Sequence, residues 1–425
     1  MIQELQVQNF YSIREKQTFS FLPTNDDKNR EKYVHEVADG VQLLKIGIVY
    51  GSNASGKTTL LKAFSFLHDI MINQPLSKND VFQFSPFLLD KHSRHEHSFM
   101  QLTVWLKGEK YLLGLEFDTK RIYEESLFVY TSNRPTMLYK RVYLPNSDHT
   151  KVTFGNKSGI GKSAAQAIEG NTTNNCSVMA AFGKSNVPTT RLNDVYDFFC
   201  VGMQVIMNPR DYLSFNVKDE LWHDNDGMKK RFLLELLKAC DYTIVDMTIN
   251  KDENPVFHEI RKRILEMPIS EDEQKEILKN SPEPHDIIFH HMGEDGEYEL
   301  DERFESAGTR RFLAMSILLY YLSDKSHFIP IDEVETSIHY ELLYYFIRFF
   351  LASSEGTSQL LLSTHDINLL NEKFIRRDVV WFTDKNKLGV TQLKRLSSLG
   401  LHKSMNPYNA YKQGKLLNLP FLENI

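Results

Sequence analysis

Read as apolar and polar positions, the chain falls into three zones. Residues 1–150 read mostly as strands with one helix. The run "LLKIGIVY" (43–50) is continuously apolar but for one lysine, as a buried strand is. Gly-rich turn residues follow it, then an amphipathic helix with Leu60, Leu61, Phe64 and Leu67 on one side. From Ser98 to about Tyr143 the alternation predicts an antiparallel meander. Its strands "FMQLTVWL", "KYLLGLEF" and "RIYEESLFVY" are parted by the turn-like "KGE" and "DT". Residues 151–280 differ. A polar stretch rich in Gly, Asn and Ser (155–177) precedes helical segments such as "MKKRFLLELLKACD" (228–241), which suggests an inserted, mobile lobe. "DIIFHHMGEDGEYEL" (286–300) predicts a hairpin turning at Asp295-Gly296. Residues 301–425 return to alternating helices and strands. The expected division is 1–154, 155–284 (a mainly helical lid or recognition lobe) and 285–425, with no internal repeat.

Composition narrows the class. A chain of 425 residues with 41% hydrophobic content holds two or three domains with a real core. The net charge of −6 argues against a generally sticky nucleic-acid binder, though a local basic groove is compatible with it. Three widely spaced cysteines (Cys176, Cys200, Cys240) point to a reducing compartment, with no disulfide framework and no Cys-based metal site. The start "MIQELQVQNFYSI" is strand-like and unlike a signal peptide, and no run reaches ~18 apolar residues. The expectation is a cytoplasmic protein with no membrane partner.

"GSNASGKT", Gly51 to Thr58, matches G-x-x-x-x-G-K-[ST] between a strand and a helix. In such a loop the backbone N–H groups of Gly51, Ser52, Asn53, Ala54, Ser55, Gly56, Lys57, Thr58 and Thr59 close on phosphate oxygens. Lys57 adds charge at the β- and γ-phosphates, and the Thr58 hydroxyl is placed for Mg²⁺. "GNKSGIGKS" (155–163) is a decoy: the spacing requires glycine at 156, which is Asn156, and no apolar strand precedes it. The strand "HFIPIDEVE" (327–335) ends in an acid pair. Asp332 suits Mg²⁺ through water, and Glu333 suits the general base for an attacking water. Pro330 inside that strand cannot donate to a ladder and points to a bulge or an edge. "QLLLSTHDINLL" (359–370) is apolar to Leu362 and ends in Ser363-Thr364-His365-Asp366, where His365 can reach a γ-phosphate or orient water. "FESAGTRRFLAM" (304–315) opens another helix with Ser306, Gly308 and Thr309, a second anion-ready N-terminus.

The order "GSNASGKT", "ESAGT", "IDEVE" and "STHD" resembles the ABC-type ATPase heads shared by SMC, RecF and OLD-like bacterial ATPases. "VQNFYSI" (7–13) resembles the start of the same group, and "ETSIHYEL" (335–342) the segment after the acid pair in its OLD-like branch. "ESAGTRR" is similar to the signature motif, with Gly-Thr where transporters have Gly-Gly-Gln. "RRDVVWFTDK" (376–385) and "YKQGKLLNLPFL" (411–422) are similar to the closing segments of stand-alone AAA-type ATPases of the abortive-infection group. The resemblance covers both ends well and 155–280 poorly; Gln83 and Gln101 are the candidates for a Q-loop glutamine. It implies an α/β fold of the P-loop NTPase class: an ABC-type head of mixed β-sheet, flanking helices and antiparallel meander, with an inserted helical lobe. It implies ATP and Mg²⁺ as ligands. It also implies a homodimer or higher homo-oligomer in which Ser306, Gly308 and Thr309 of one head cap the γ-phosphate held by Gly51–Thr58 of another.

Two classes of function follow. One is the ATP-driven sensor of a bacterial anti-phage pair, acting on a separately encoded nuclease or toxin. The other is a RecF- or SMC-like DNA-repair or clamping ATPase, which would bind nucleic acid through a basic groove. "IRKR" (260–263), "FIRR" (374–377) and "KNKLGVTQLKR" (385–395) are the basic clusters available for it. A transporter ATPase is disfavoured by the altered signature and the inserted lobe. No long heptads are present for an SMC-type arm. The 60-odd residues after His365 are too few for the nuclease domain of OLD proteins, and "HEH" (95–97) sits in a polar turn.

Overall fold

The computed structural model describes residues 1–132, 134–207, 217–218, 220–238, 243–251, 262–263, 265, 285–324, 326–353, 356–402 and 405–416. Cys240, the first two residues of "IRKR" and the last residues of "YKQGKLLNLPFL" lie outside them. The chain forms two compact units. The first is Met1–Met207, Lys325–Val334 and Leu351–Ile425; the second is Asn208–Asp324 and Glu335–Phe350.

The first unit holds three sheets. Strands β1 (Ile2–Gln8), β2 (Gln17–Ser20), β3 (Val34–Ala38), β4 (Val41–Leu44) and β5 (Ile46–Tyr50) come first. Next come β6 (Ser98–Leu106), β7 (Glu109–Phe117), β8 (Ile122–Tyr130), β9 (Pro135–Leu144) and β10 (His149–Phe154). The meander β6–β10 extends through β1 and β2 into a seven-stranded antiparallel sheet, in the order β10-β9-β8-β7-β6-β1-β2. The run "LLKIGIVY" makes two strands, not one. Leu43 and Leu44 pair with β3, and β5 begins after the buried Lys45.

β5 lies at the centre of the second sheet. With β11 (Ile244–Lys251), β12 (His285–Met292) and β13 (Glu297–Asp301) assigned to the second unit, the remaining strands are β14 (Phe328–Ile331), β15 (Gln359–Thr364), β16 (Val380–Lys385) and β17 (Thr391–Arg395). Their order is β14-β15-β5-β16-β17, parallel except for β17. β14 is the edge, which resolves Pro330. Its outer side meets the extended segment Met203–Ile206, whose Ile206 N–H donates to the Pro330 carbonyl at 2.8 Å. Pro330 supplies an acceptor there, and the inner ladder to β15 does not need its nitrogen.

The helix Lys57–Ile72 is gripped from both sides. Phe64 meets Phe328 of β14 at 4.9 Å between ring centroids, and Phe66 stacks on Phe117 of β7 at 4.7 Å. Gly47 in β5 is where bulk is forbidden: a Cβ there would lie 2.8 Å from the Phe19 ring. Gln359, fully buried, stitches the strands together. Its carboxamide accepts from Ile2 N–H (2.5 Å) and donates to the carbonyls of Ile2 (2.9 Å) and Leu44 (3.0 Å).

The stretch 155–207 departs from expectation. It packs within the first unit and is not part of a separate lobe. The cause is a buried charge. Arg141, fully enclosed, donates to the carbonyls of Thr173 (3.1 Å) and Asn174 (2.9 Å), and Glu125 accepts from Val178 N–H (2.9 Å) and the Tyr139 hydroxyl (2.7 Å). Burial pushes the Glu125 carboxyl above its ordinary range and draws the Arg141 guanidinium down to about 10. Buried polar groups need such partners, so a segment polar in composition is held by its main chain.

The second unit is not purely helical. Helices Met228–Leu237 and Ala307–Asp324 pack through Phe232 and Tyr320 (5.5 Å). Beside them stands a three-stranded antiparallel sheet, β11-β12-β13. β12 and β13 form the expected hairpin. β11, "IVDMTINK", was not expected; its Ile244 and Met247 are buried across a bulge that breaks the period of two.

Candidate functional site

The phosphate loop leaves β5 and enters the helix at Lys57. Ala54 (φ 62°) and Gly56 (φ 112°) hold left-handed backbone, and no side chain caps the helix start. Successive N–H groups in such a turn form an anion-binding concavity. The loop is braced from β16 and β17. Ser55 Oγ lies 2.6 Å from Thr383 Oγ1, and Thr391 Oγ1 donates to the Ser55 carbonyl at 2.9 Å. Both motif glycines are needed for that fit. A Cβ on Gly51 would meet Thr383 Oγ1 at 2.3 Å, and one on Gly56 would meet Thr391 Oγ1 at 2.3 Å. Ser12 completes the brace: its hydroxyl is 2.9 Å from Thr59 and 2.8 Å from Thr391.

Lys57 is buried. Its ammonium donates to the carbonyls of Gly51 (2.9 Å) and Ser52 (3.3 Å) and lies 3.4 Å from His365 Nδ1. A cavity of about 520 Å³ opens over it. Asn53 to Thr59, Glu333 and His365 line the cavity, together with Tyr11 and the segment Ser85–Leu89. Gly51 and Ser52 act through their carbonyls and are not on its wall. Neither Gln83 nor Gln101 lines it.

The three parallel strands deliver the acids and the histidine to this end of the sheet. β14 is followed at once by the buried Asp332, one of whose carboxylate oxygens accepts from the Ser363 hydroxyl of β15. The same Ser363 oxygen accepts from the Glu333 N–H at 2.9 Å, and the Ser363 carbonyl accepts from Val334 N–H at 3.1 Å. Glu333 is exposed to the cavity with left-handed backbone (φ 45°). A non-glycine residue so held carries about 1–3 kcal/mol of strain, a recurrent mark of functional positions. Asp332 sits behind the wall, not on it. Thr58 is half-buried and lines the cavity.

In the second unit, Ser306 begins the helix Ala307–Asp324. Its hydroxyl accepts from Thr309 N–H at 3.0 Å and lies 2.8 Å from the Thr309 hydroxyl. Ser306 is an exposed N-cap, Thr309 is buried beneath it, and Gly308 is half-buried, with room for a Cβ in ordinary contact with Ser306 Oγ at 3.6 Å. Sequence reasoning overlooked Ser363, Thr383, Thr391 and Ser12. Ser363 had a signal, standing two residues from the chosen His365; Thr383 inside β16 and Thr391 at the start of β17 had none.

The model of one protein family matches residues 47–174 and 230–371, more than half of the chain; its description reads "AAA domain, putative AbiEii toxin, Type IV TA system". The chain belongs to this AAA-domain family. Its P-loop strand, acid strand and intervening His365 strand therefore belong to a P-loop ATPase, in a mixed α/β fold that fits an ABC-type head. Similar solved structures include an SMC head domain from Thermotoga maritima, at 10% identity and TM-score 0.46, covering 93% of this chain and 98% of that one. Another is an Smc head domain with an extended coiled coil bound to the C-terminal domain of ScpA, derived from Pyrococcus furiosus. It shows 10% identity and TM-score 0.38, covering 97% of this chain and 98% of that one. No curated protein matches the chain. Among the described residues, no helix is long and apolar enough to cross a membrane, and no group of His, Cys, Asp and Glu is placed to hold a metal by itself.

Proposed function

We propose that this family member is an ATPase that binds and hydrolyses ATP with Mg²⁺. The carrying observation is that Lys57, Glu333 and His365, 308 residues apart at the extremes, share one cavity at the ends of three parallel strands. The glycine positions that exclude a Cβ, the uncapped helix start and the buried Lys57 suit a triphosphate. Thr58 and, through water, Asp332 would hold Mg²⁺, which supplies charge neutralisation when bound. Glu333 takes the proton of the attacking water, and its strained backbone, pinned by Ser363, aims it. His365 fixes the end of the transferring phosphate with Lys57. Ser306, Gly308 and Thr309 of a second copy complete the site in a homodimer or higher homo-oligomer. ATP then holds the heads together and hydrolysis releases them.

At the level of the cell, we read the chain as the sensor or regulatory ATPase of a bacterial anti-phage, abortive-infection system, controlling a separately encoded nuclease or toxin. The family description supports this reading, since it reads "putative AbiEii toxin, Type IV TA system". A RecF- or SMC-like DNA clamp is the second reading, and its basic clusters are partly engaged inside the fold. Arg376 is fully buried against Asp378 at 2.7 Å, Arg377 donates to the carbonyls of Leu401 and His402, and Arg395 donates to those of Asp378 and Leu22. The test of the ATPase reading is Glu333→Gln. It should keep ATP binding, lower turnover by about 10²-fold or more and accumulate an ATP-bound dimer. Turnover at the wild-type rate would remove Glu333 as the base.

A further inference from the structure

A second cavity, of about 510 Å³, lies behind the phosphate-loop helix. Its walls include Phe10, Phe66, Ile70, Pro75, Val81 and Phe82. The rings present both faces and edges: Phe10 and Phe66 are 5.5 Å apart and tilted, and Phe66 and Phe82 are 5.8 Å apart, edge to face. Folded interiors seldom leave voids of this size, whereas cavities of ~300–1,000 Å³ with apolar walls and a few polar groups are the usual form of small-molecule sites. The rim is built. Asn175 donates to the carbonyls of Ser77 (2.9 Å) and Asp80 (3.0 Å), Gln74 donates to that of Ala180 (3.3 Å), and Phe82 N–H donates to that of Thr119 (2.8 Å).

Charge selects among ligands. Asp69 and Asp80 are exposed carboxylates at the rim, while the Lys62 ammonium sits 4.9 Å from the centre of the Tyr11 ring. Two carboxylates and electron-rich ring faces oppose an anion and accept a neutral or cationic aromatic. A second nucleotide is thereby disfavoured. The Ser65 hydroxyl and the Asn73 carboxamide, both on the wall, supply polar contacts to a heterocycle.

Tyr11 lines this cavity and the nucleotide cavity alike. It is held in left-handed backbone (φ 47°); its N–H donates to the Ser85 carbonyl at 2.8 Å and its hydroxyl to the Gln83 carbonyl at 3.1 Å. Gln83 lines the aromatic cavity, and Ser85–Leu89 line the nucleotide cavity. One continuous segment thus walls both, pinned at Gln83 and Ser85 to one strained residue. We propose that the aromatic cavity is a second ligand site for a planar aromatic molecule, neutral or singly cationic, and that its occupancy is coupled to the nucleotide cavity through Tyr11 and Gln83–Leu89. The coupling rests on the nucleotide reading above; the binding does not.

Proflavine, a planar monocation, is the probe, titrated into the full chain by fluorescence anisotropy, with 1-anilinonaphthalene-8-sulfonate as the anionic control. Proflavine should saturate at one per chain and bind about tenfold tighter than the sulfonate. Ser65→Phe, which fills the cavity from the helix, should weaken proflavine by about tenfold or more, and Val81→Trp should do so from the opposite wall. Saturating proflavine should shift the ATP affinity of the wild type by about fivefold, read by calorimetry, and leave that of Ser65→Phe unmoved. Absence of proflavine binding, equal or tighter sulfonate binding, or binding indifferent to both folded variants overturns the site. An ATP affinity that ignores bound proflavine overturns the coupling. If wild-type chain binds no ATP at all, the nucleotide reading fails, and the dye titration still decides the cavity.

Discussion

The helices at Lys57 and Ala307 each begin beside a glycine, and they begin differently. The helix at Lys57 has no side-chain cap, and its loop is fixed by hydroxyls from Ser12, Thr383 and Thr391. Its first turn lines a cavity already furnished with Lys57, Glu333 and His365. The helix at Ala307 is capped by its own Ser306, an exposed residue that uses the Thr309 N–H. An N-terminal turn has four orphan donors; the first helix offers them within a furnished site, the second offers what its cap leaves. The first is a cradle complete on one side. On the proposed reading, the second is a lid fragment that acts only against a phosphate brought by another copy of the chain.

That contrast can be broken most forcefully at the cradle. Gly56→Ala should abolish detectable ATP binding, a loss of about 100-fold or more, because φ 112° strains any other residue and the added Cβ meets Thr391 Oγ1 at 2.3 Å. Calorimetry with ATP reads it, and near-normal affinity would show that the loop's closeness to Thr391 is irrelevant. Ser363→Ala should act one step back. It frees Asp332 and the Glu333 N–H together, so turnover should fall about 10-fold to 100-fold, with ATP affinity in the absence of Mg²⁺ unchanged. A loss of nucleotide binding without metal would place Ser363 in the cradle itself. The mildest change belongs to the second helix. Ser306→Ala removes only a cap, costing about 1 kcal/mol of stability by denaturant titration, and should leave most of the turnover. A larger activity loss than this would mean that the hydroxyl itself touches the neighbour's phosphate.

The same contrast explains what could be read from the chain. The phosphate loop was legible because its chemistry is contiguous: eight residues between a strand and a helix leave few alternatives. Asp332 and Glu333 were legible as the polar end of an apolar strand. Ser363 was hidden because its role depends on β14 and β15 lying side by side with Ile331 opposite Leu362, a register no local pattern announces. Thr383 and Thr391 were hidden for the same reason, since both reach the loop across β16 and β17. The stretch 155–177 was assigned to an inserted lobe from its polar composition, whereas the carbonyls of its Thr173 and Asn174 serve the buried Arg141 of β9. β11 was missed because a bulge between Ile244 and Asp246 breaks its alternation.

The central claim is that a complete site takes Lys57 from one chain and Ser306 from another. Lys57→Ala and Ser306→Arg should each be nearly inactive alone, the arginine because its bulk prevents closure on a neighbour's nucleotide. Mixed in equal amounts under conditions that let subunits exchange, they form mixed dimers. Each mixed dimer holds one site with both native groups. The ATPase rate at equal mixing should rise to about a quarter of wild type if sites act independently, and to a smaller value above zero if closure is shared. A rate that stays at zero across all mixing ratios, with exchange shown by subunit labelling, or full activity of Ser306→Arg by itself, would contradict the account.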